Sequence, residues 1–116
     1  MGRTMCLRAL RNFAIFAVFL LPVSGNAQEP GDAQAGLSFA QKNCTACHAV
    51  RQGETESPNP EAPSFDSVAK TRGMTGRALA VWLQTSHPTM PNFLIAQKDR
   101  DNIISYIMSL KPVPAQ

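Results

Sequence analysis

Two cysteines three positions apart, with a histidine directly after the second, form the segment Cys44-Thr45-Ala46-Cys47-His48. On a helix that ends here, residues i and i+3 lie on one face, so both thiols point in the same direction. Each thiol can then add to one vinyl group of a haem, and the adjacent imidazole can bind the iron. The motif therefore predicts one covalently attached haem c, which the rest of the chain must enclose.

Three other kinds of site use two cysteines at this spacing. A redox dithiol would be accompanied by a thioredoxin-like βαβ pattern, which the sequence does not show. A zinc site usually has four ligands, and the three cysteines of the chain provide no second pair. A structural disulfide between Cys44 and Cys47 stays open as an alternative, although it would close a very small loop.

The first 27 residues have the three-part layout of a secretory signal peptide. Three arginines precede an apolar run at residues 13–21, and small residues follow as far as Ala27. The run is far shorter than the ~20 residues that a membrane-spanning helix requires. We therefore predict export to the periplasm with cleavage after Ala27, and an uncleaved membrane anchor is the less favoured alternative.

Residues 28–116 would remain after this cleavage, as one small domain. The signal peptide, residues 1–27, contains three arginines and no acidic residue, so its removal brings the formal net charge from +3 to zero. A neutral domain lacks the basic surface of nucleic-acid-binding proteins, and we predict no nucleic-acid partner. A domain this short has little apolar surface to bury, so we expect the haem to complete its core.

The haem motif, a methionine at position 90 beside prolines, and an apolar C-terminal segment at residues 103–107 resemble the small class I bacterial c-type cytochromes. The resemblance covers most of the chain after the signal peptide and is weakest between residues 50 and 60. It implies an all-α, cytochrome c-like fold with three to four short helices wrapped around one covalently attached haem. It also implies that Cys44 and Cys47 form the thioethers and that His48 is the proximal ligand of the iron.

Apolar spacing and capping residues predict four helices, at residues 33–47, 65–71, 76–85 and 97–110. Asp32 and Thr75 are candidate N-caps, whereas Ala96 stands where a polar cap would be expected.

A glycine inside the first predicted helix, Gly36, costs about 1 kcal/mol relative to alanine, so we expect a packing reason for it. The resemblance implies that Gly36 and Phe39 let the first helix cross the last at close range, with Tyr106 as the partner.

The second axial ligand is predicted at Met90. Two prolines near it prevent a helix across residues 86–92, so the methionine lies on an extended loop. The resemblance implies a distal ligand at this position, and a Met/His pair raises the haem potential. We interpret Met74 and Met108 as packing residues. His87 is an alternative ligand that would give bis-histidine iron, although a surface or haem-edge position is the favoured interpretation.

Two further residues are assigned to the site. In similar cytochromes, the carbonyl of a proline accepts a hydrogen bond from the haem-ligating histidine, and Pro63 stands at that position. Trp82 lies on the apolar face of the third predicted helix and is expected to form part of the haem wall. Its indole N–H would donate to a haem propionate or to a backbone carbonyl.

These features predict an electron carrier and not an enzyme. With His48 and Met90 on the iron, no position is left for a small-molecule substrate, and we expect none. We predict a monomer that meets redox proteins of the periplasm or inner membrane through small, short-lived interfaces. The alternatives are a peroxidase-like haem enzyme or gas-binding domain with an open sixth site, and the haem subunit of a larger dehydrogenase.

Overall fold

The computed structural model describes residues 30–113, and this part of the chain contains four α-helices and no β-strand. The helices are α1 (Ala33–Asn43), α2 (Phe65–Lys70), α3 (Gly76–Trp82) and α4 (Gln97–Ser109). The prediction of an all-α fold is confirmed. The predicted signal peptide and its cleavage point lie outside the described residues. Between residues 30 and 113, no helix combines the length and the apolar character needed to cross a membrane.

Polar side chains cap three of the four helices. The Asp32 carboxylate accepts hydrogen bonds from the first amides of α1, the Ser64 hydroxyl from an amide of α2, and the Thr75 hydroxyl from an amide of α3. These caps satisfy amide groups that have no partner within the helix. Helix α4 begins after Ala96 without a side-chain cap, as the sequence suggested.

Two predicted helices end earlier than expected. Helix α1 stops at Asn43, and the haem motif follows it as a series of turns, so the prediction that the helix reaches residue 47 is wrong. Helical spacing nevertheless persists there, because the amides of Cys47 and His48 both donate to the Cys44 carbonyl, at 3.2 and 2.9 Å. Helix α3 ends at Trp82 and not at residue 85. The residue before a proline avoids helical conformation, and Pro88 therefore limits how far this segment can remain helical.

Helices α1 and α4 cross at very close range, and Gly36 makes this possible. A Cβ atom at Gly36 would overlap the carbonyl oxygen of Asn102 and lie 2.6 Å from its carbonyl carbon and 2.8 Å from Tyr106 Cβ. Nearby, the Asp32 amide donates to Asn102 Oδ1 at 2.8 Å, and Ser105 Oγ donates to the Gly31 carbonyl at 2.8 Å. The packing reason expected for Gly36 is therefore present.

The apolar core is built around α4, on which the other three helices pack. Leu79 of α3 and Phe65 of α2 are buried, at 3% and 6% exposed. Met74 and Met108 are partly buried against the same core, which agrees with their interpretation as packing residues. Some of the core side chains, on α2, α3 and α4, also border the space in which a site can form. The buried apolar members of the core are Ala40, Val50, Phe65, Ala69, Leu79, Ile103, Ile104, Tyr106, Ile107 and Leu110.

Asp66 is a buried carboxylate in the first turn of α2, with its side chain 7% exposed. Its Oδ2 accepts a hydrogen bond from Lys70 Nζ at 2.9 Å, one helical turn further along. This hydrogen bond holds the pKa of the Asp66 carboxyl below its ordinary value, against the opposing effect of burial. The charged carboxylate is therefore favoured in the folded protein.

We expect Asp66→Asn to lower the free energy of unfolding of the haem-bearing protein by about 1–3 kcal/mol at neutral pH, because a hydrogen bond between charged groups is lost. The folded-state pKa lies below the ordinary value of 3.8, so this stabilisation is present above that value and disappears as the pH falls through the folded-state pKa. Denaturant titrations at several pH values should show the difference between the two proteins shrinking below about pH 4. The exposed Glu56→Gln is the matched control and should change stability by less than about 0.5 kcal/mol. Equal stability of Asp66→Asn and wild type at neutral pH would contradict the expectation.

Candidate functional site

A large cavity of about 820 Å³ opens beside the core. Its walls come from α1, α2, α3 and α4, from the turns of the haem motif, and from the loop that carries Met90. Most of the surface that faces the cavity is apolar, so it suits a flat, apolar ligand and disfavours bulk water. Apolar side chains that line it include Phe39, Phe65, Val68, Met74, Leu79, Leu83, Ile95, Ile103 and Ile107.

His48 lines this cavity, and one of its ring nitrogens forms a hydrogen bond. Nδ1 lies 2.7 Å from the carbonyl oxygen of Pro63. A carbonyl oxygen can only accept, so Nδ1 carries the proton and donates it, which leaves the lone pair on Nε2. The Phe65 ring packs against the imidazole with a centroid distance of 5.5 Å. These contacts fix both the tautomer and the orientation of a histidine that is ready to bind a metal.

Backbone hydrogen bonds hold the loop after the motif against it. The Asn59 amide donates to the Cys47 carbonyl at 3.1 Å, and the Phe65 amide donates to the Ala49 carbonyl at 2.9 Å. The buried Tyr106 hydroxyl donates to the Val50 carbonyl at 2.6 Å and so connects the loop to α4. The loop has the irregular structure that its prolines and glycine predict, yet it is firmly attached to the rest of the fold.

The two motif cysteines are partly buried, are not joined by a disulfide, and both line the cavity. Burial, with a smaller contribution from the neighbouring Cys47, raises the pKa of the Cys44 thiol to about 11. The Cys44 sulfur is therefore present as a thiol at neutral pH, and both cysteines line the space in which a haem edge would lie. Within residues 30–113, no cluster of three or more His, Cys, Asp or Glu side chains could hold a bare metal ion.

Met90 also lines the cavity, on a loop without helix or strand between α3 and α4. A tight turn precedes it, in which the Met90 amide donates to the His87 carbonyl at 3.4 Å. Thr89 within this turn has a φ angle of 72°, a left-handed conformation that a β-branched residue seldom adopts. The strained turn brings the side chains of residues 87 and 90 to the same side of the chain.

Trp82 and His87 lie next to Met90. Nε2 of His87 is 3.0 Å from Met90 Sδ, and the two rings of Trp82 and His87 meet edge-on with a centroid distance of 5.2 Å. Trp82 lines the cavity but is 53% exposed. The structure gives the Trp82 indole N–H no described partner in residues 30–113, and its assignment to the haem wall stays a prediction.

The structure brings together every residue that the sequence assigned to the site. One cavity is lined by all of them: Cys44, Cys47, His48, Pro63, Trp82 and Met90. What the sequence did not reveal is how close His87 comes to the sulfur of Met90. The sequence feature that could have indicated this contact is the spacing of His87 and Met90, which are three positions apart with Pro88 between them, as in a tight turn.

The side chains that line the cavity are suited to hold a haem. Two thiols, an imidazole with a free Nε2 and a thioether sulfur converge on one apolar cavity. Thiols and a histidine in this arrangement can hold the porphyrin edge and its iron, and the apolar walls can cover its faces.

Comparison with known proteins agrees with this site. The family model described as "Cytochrome c" matches residues 33–111. The chain is 33% identical over 98 residues to cytochrome c-552 of Bradyrhizobium diazoefficiens, across 84% of this chain and 93% of that protein. No solved structure gives a significant match. The chain therefore belongs to the cytochrome c family and is an electron-transfer protein that carries covalently attached haem.

Proposed function

We propose that this protein is a periplasmic electron carrier in which His48 and Met90 are the two axial ligands of the haem iron. The observation that supports the proposal most strongly is that one cavity is lined by His48, by Met90 and by both thiols of the haem motif. The resemblance that implied these two ligands extends over most of the described residues, since the family model matches residues 33–111.

The residues of the chain have separate tasks in this proposal. Bound haem supplies a one-electron couple between ferric and ferrous iron. Cys44 and Cys47 hold it covalently, and the Pro63 carbonyl keeps Nδ1 of His48 protonated so that Nε2 is the ligand atom. Met90 contributes a soft thioether sulfur, which raises the reduction potential relative to a second imidazole. The apolar walls exclude water, so electron transfer requires little rearrangement of the surroundings.

An electron carrier is favoured over a haem enzyme because side chains of the protein would fill both axial positions. A substrate would then need to displace Met90, which is held by a structured turn at the cavity wall. We therefore propose that the protein has no small-molecule substrate and no catalytic residue.

We further propose that residues 1–27 are a cleaved export signal and that residues 28–116 are the mature, monomeric domain. Its partners would be redox proteins of the periplasm or the inner membrane. Exposed apolar side chains around the cavity support brief contacts of this kind: Phe93 and Leu94 both line the cavity and are 51% and 103% exposed. Weak, short-lived encounters between redox proteins typically bury little surface.

The ligation is tested by the absorption spectrum of the purified exported protein. We expect a ferric absorption band from methionine–iron ligation in the wild type and its loss in Met90→Ala. The midpoint potential should also fall in Met90→Ala, because the methionine ligand raises it.

Met108→Leu is the matched control, since Met108 packs against the core and is not on the wall of the cavity. This variant should keep the band. A wild-type protein with high-spin iron that binds carbon monoxide readily when reduced would overturn the proposal and indicate an open sixth site.

A further inference from the structure

The side of the cavity that carries Met90 holds a second side chain capable of binding iron. His87 and Met90 both line the cavity, and Nε2 of His87 lies 3.0 Å from Met90 Sδ. Any atom that Met90 can reach with its sulfur is therefore close to a ring nitrogen of His87 as well.

The partner of the other ring nitrogen determines what Nε2 can do. Both ring nitrogens of His87 face atoms that can only accept: Nδ1 lies 3.0 Å from the Thr85 carbonyl oxygen, and Nε2 lies 3.0 Å from the Met90 sulfur. The neutral imidazole carries one ring proton, so it donates either to the sulfur or to the carbonyl. Once the sulfur is removed, the carbonyl is the remaining acceptor, and a proton on Nδ1 leaves the lone pair of Nε2 free to bind a metal. His48 has the same arrangement, with Nδ1 bound to the Pro63 carbonyl and Nε2 left as a ligand atom. Without the Met90 sulfur, the two imidazoles at this cavity would therefore each donate from Nδ1 to a backbone carbonyl.

The surroundings hold the His87 ring in this position. Trp82 packs edge-on against it, with ring planes at 79° to each other. The left-handed conformation of Thr89, with φ of 72°, turns the chain so that residues 87 and 90 face the same way. A backbone strain of this kind persists only where neighbouring contacts maintain it.

We propose that His87 is a reserve axial ligand, meaning one that binds the iron through Nε2 when the Met90 sulfur is removed. The inference rests on the proposed function, because it requires Met90 to be the ligand in the intact protein. Replacement requires Nε2 to move by about the 3.0 Å that separates it from Sδ, within one short turn. The protein then keeps low-spin, six-coordinate iron in a bis-histidine state, so loss of the methionine does not open a site for external ligands.

The test compares haem-bearing Met90→Ala with the double variant Met90→Ala/His87→Ala. We expect ferric Met90→Ala to lose the methionine–iron band but to remain low-spin by absorption and electron paramagnetic resonance, with a bis-histidine signature. The double variant should be high-spin and should bind added imidazole at least about tenfold more tightly than the single variant, because no internal ligand competes. Saturating imidazole should restore a low-spin spectrum to the double variant, which shows that its haem pocket remains folded.

The outcomes separate this inference from the proposed function. If the wild type shows the methionine band but Met90→Ala is high-spin with the imidazole affinity of the double variant, the reserve ligand is overturned and His/Met ligation stands. If the wild type lacks the band and is bis-histidine until His87→Ala is introduced, His87 is the ordinary ligand and both proposals fall. If Met90→Ala stays low-spin and also does so in the double variant, another group binds the iron and the reserve ligand is overturned.

Discussion

Replacing both motif cysteines, in the variant Cys44→Ser/Cys47→Ser, is expected to give a colourless protein without cooperative unfolding. The wild-type cavity measures about 820 Å³ and is lined mainly by apolar side chains. At ~24 cal/mol per Å³, one third of this volume left as a void would already cost about 7 kcal/mol, which is comparable to the entire stability of a small domain. The chain cannot keep such a space open without the haem, so it should collapse or unfold.

Thermal melts followed by far-ultraviolet circular dichroism, together with the mass of the purified protein, measure this effect. The matched control is Thr45→Ala, at an exposed residue between the two cysteines, which should retain covalent haem and a sharp transition. A haem-free double variant that melts as cooperatively and at the same temperature as the wild type would show that the core is complete without its cofactor.

The second large effect is expected at the helix crossing. Gly36→Ala should destabilise the haem-bearing protein by about 2–4 kcal/mol, because overpacking a close helix contact forces the backbones apart. The new methyl group would overlap the backbone carbonyl of Asn102 and approach Tyr106 Cβ to 2.8 Å, and a backbone carbonyl cannot move aside as the end of a flexible side chain can. The direction of the change in stability distinguishes the two effects, because helix propensity alone predicts that Gly36→Ala stabilises the protein by about 1 kcal/mol.

Denaturant titrations of the holoprotein measure the change in the free energy of unfolding. Ser38→Ala is the control in the same helix, at an exposed position, and should stay within about 0.5 kcal/mol of the wild type. If Gly36→Ala proves as stable as the wild type or more stable, the close approach of α1 and α4 is not required by the fold.

Local rules were sufficient for much of this fold. Asp32 and Thr75 cap their helices as predicted, because a cap depends on a side chain and the amides two or three residues beyond it. The apolar spacing of α4 likewise predicted its extent to within one residue. Such features depend on residues close together in the chain, so they can be predicted from a single sequence.

Helix ends and long-range contacts were harder to predict from the sequence. Helix α1 ends at Asn43 because the motif continues as turns whose amides share the Cys44 carbonyl, and no local signal distinguished turns from helix there. The hydrogen bond from Tyr106 to the Val50 carbonyl joins residues 56 positions apart, and only the assembled fold reveals it. The candidate ligands of the site were predicted through the family resemblance, whereas the contact between His87 and Met90 depends on the left-handed turn at Thr89 and was not predicted.

The two halves of the site differ in how the fold retains them. The loop after the haem motif, residues 49–63, is tied by Tyr106 to the last helix across 56 residues. The described side-chain hydrogen bonds of the loop that carries Met90, residues 86–95, join residues at most five positions apart. Segments held by local bonds open at a lower free energy than segments tied across the chain. With Met90 as the proposed ligand, heating should release its sulfur from the iron while the helices remain intact, so the colour of the protein would change at a lower temperature than its helical content.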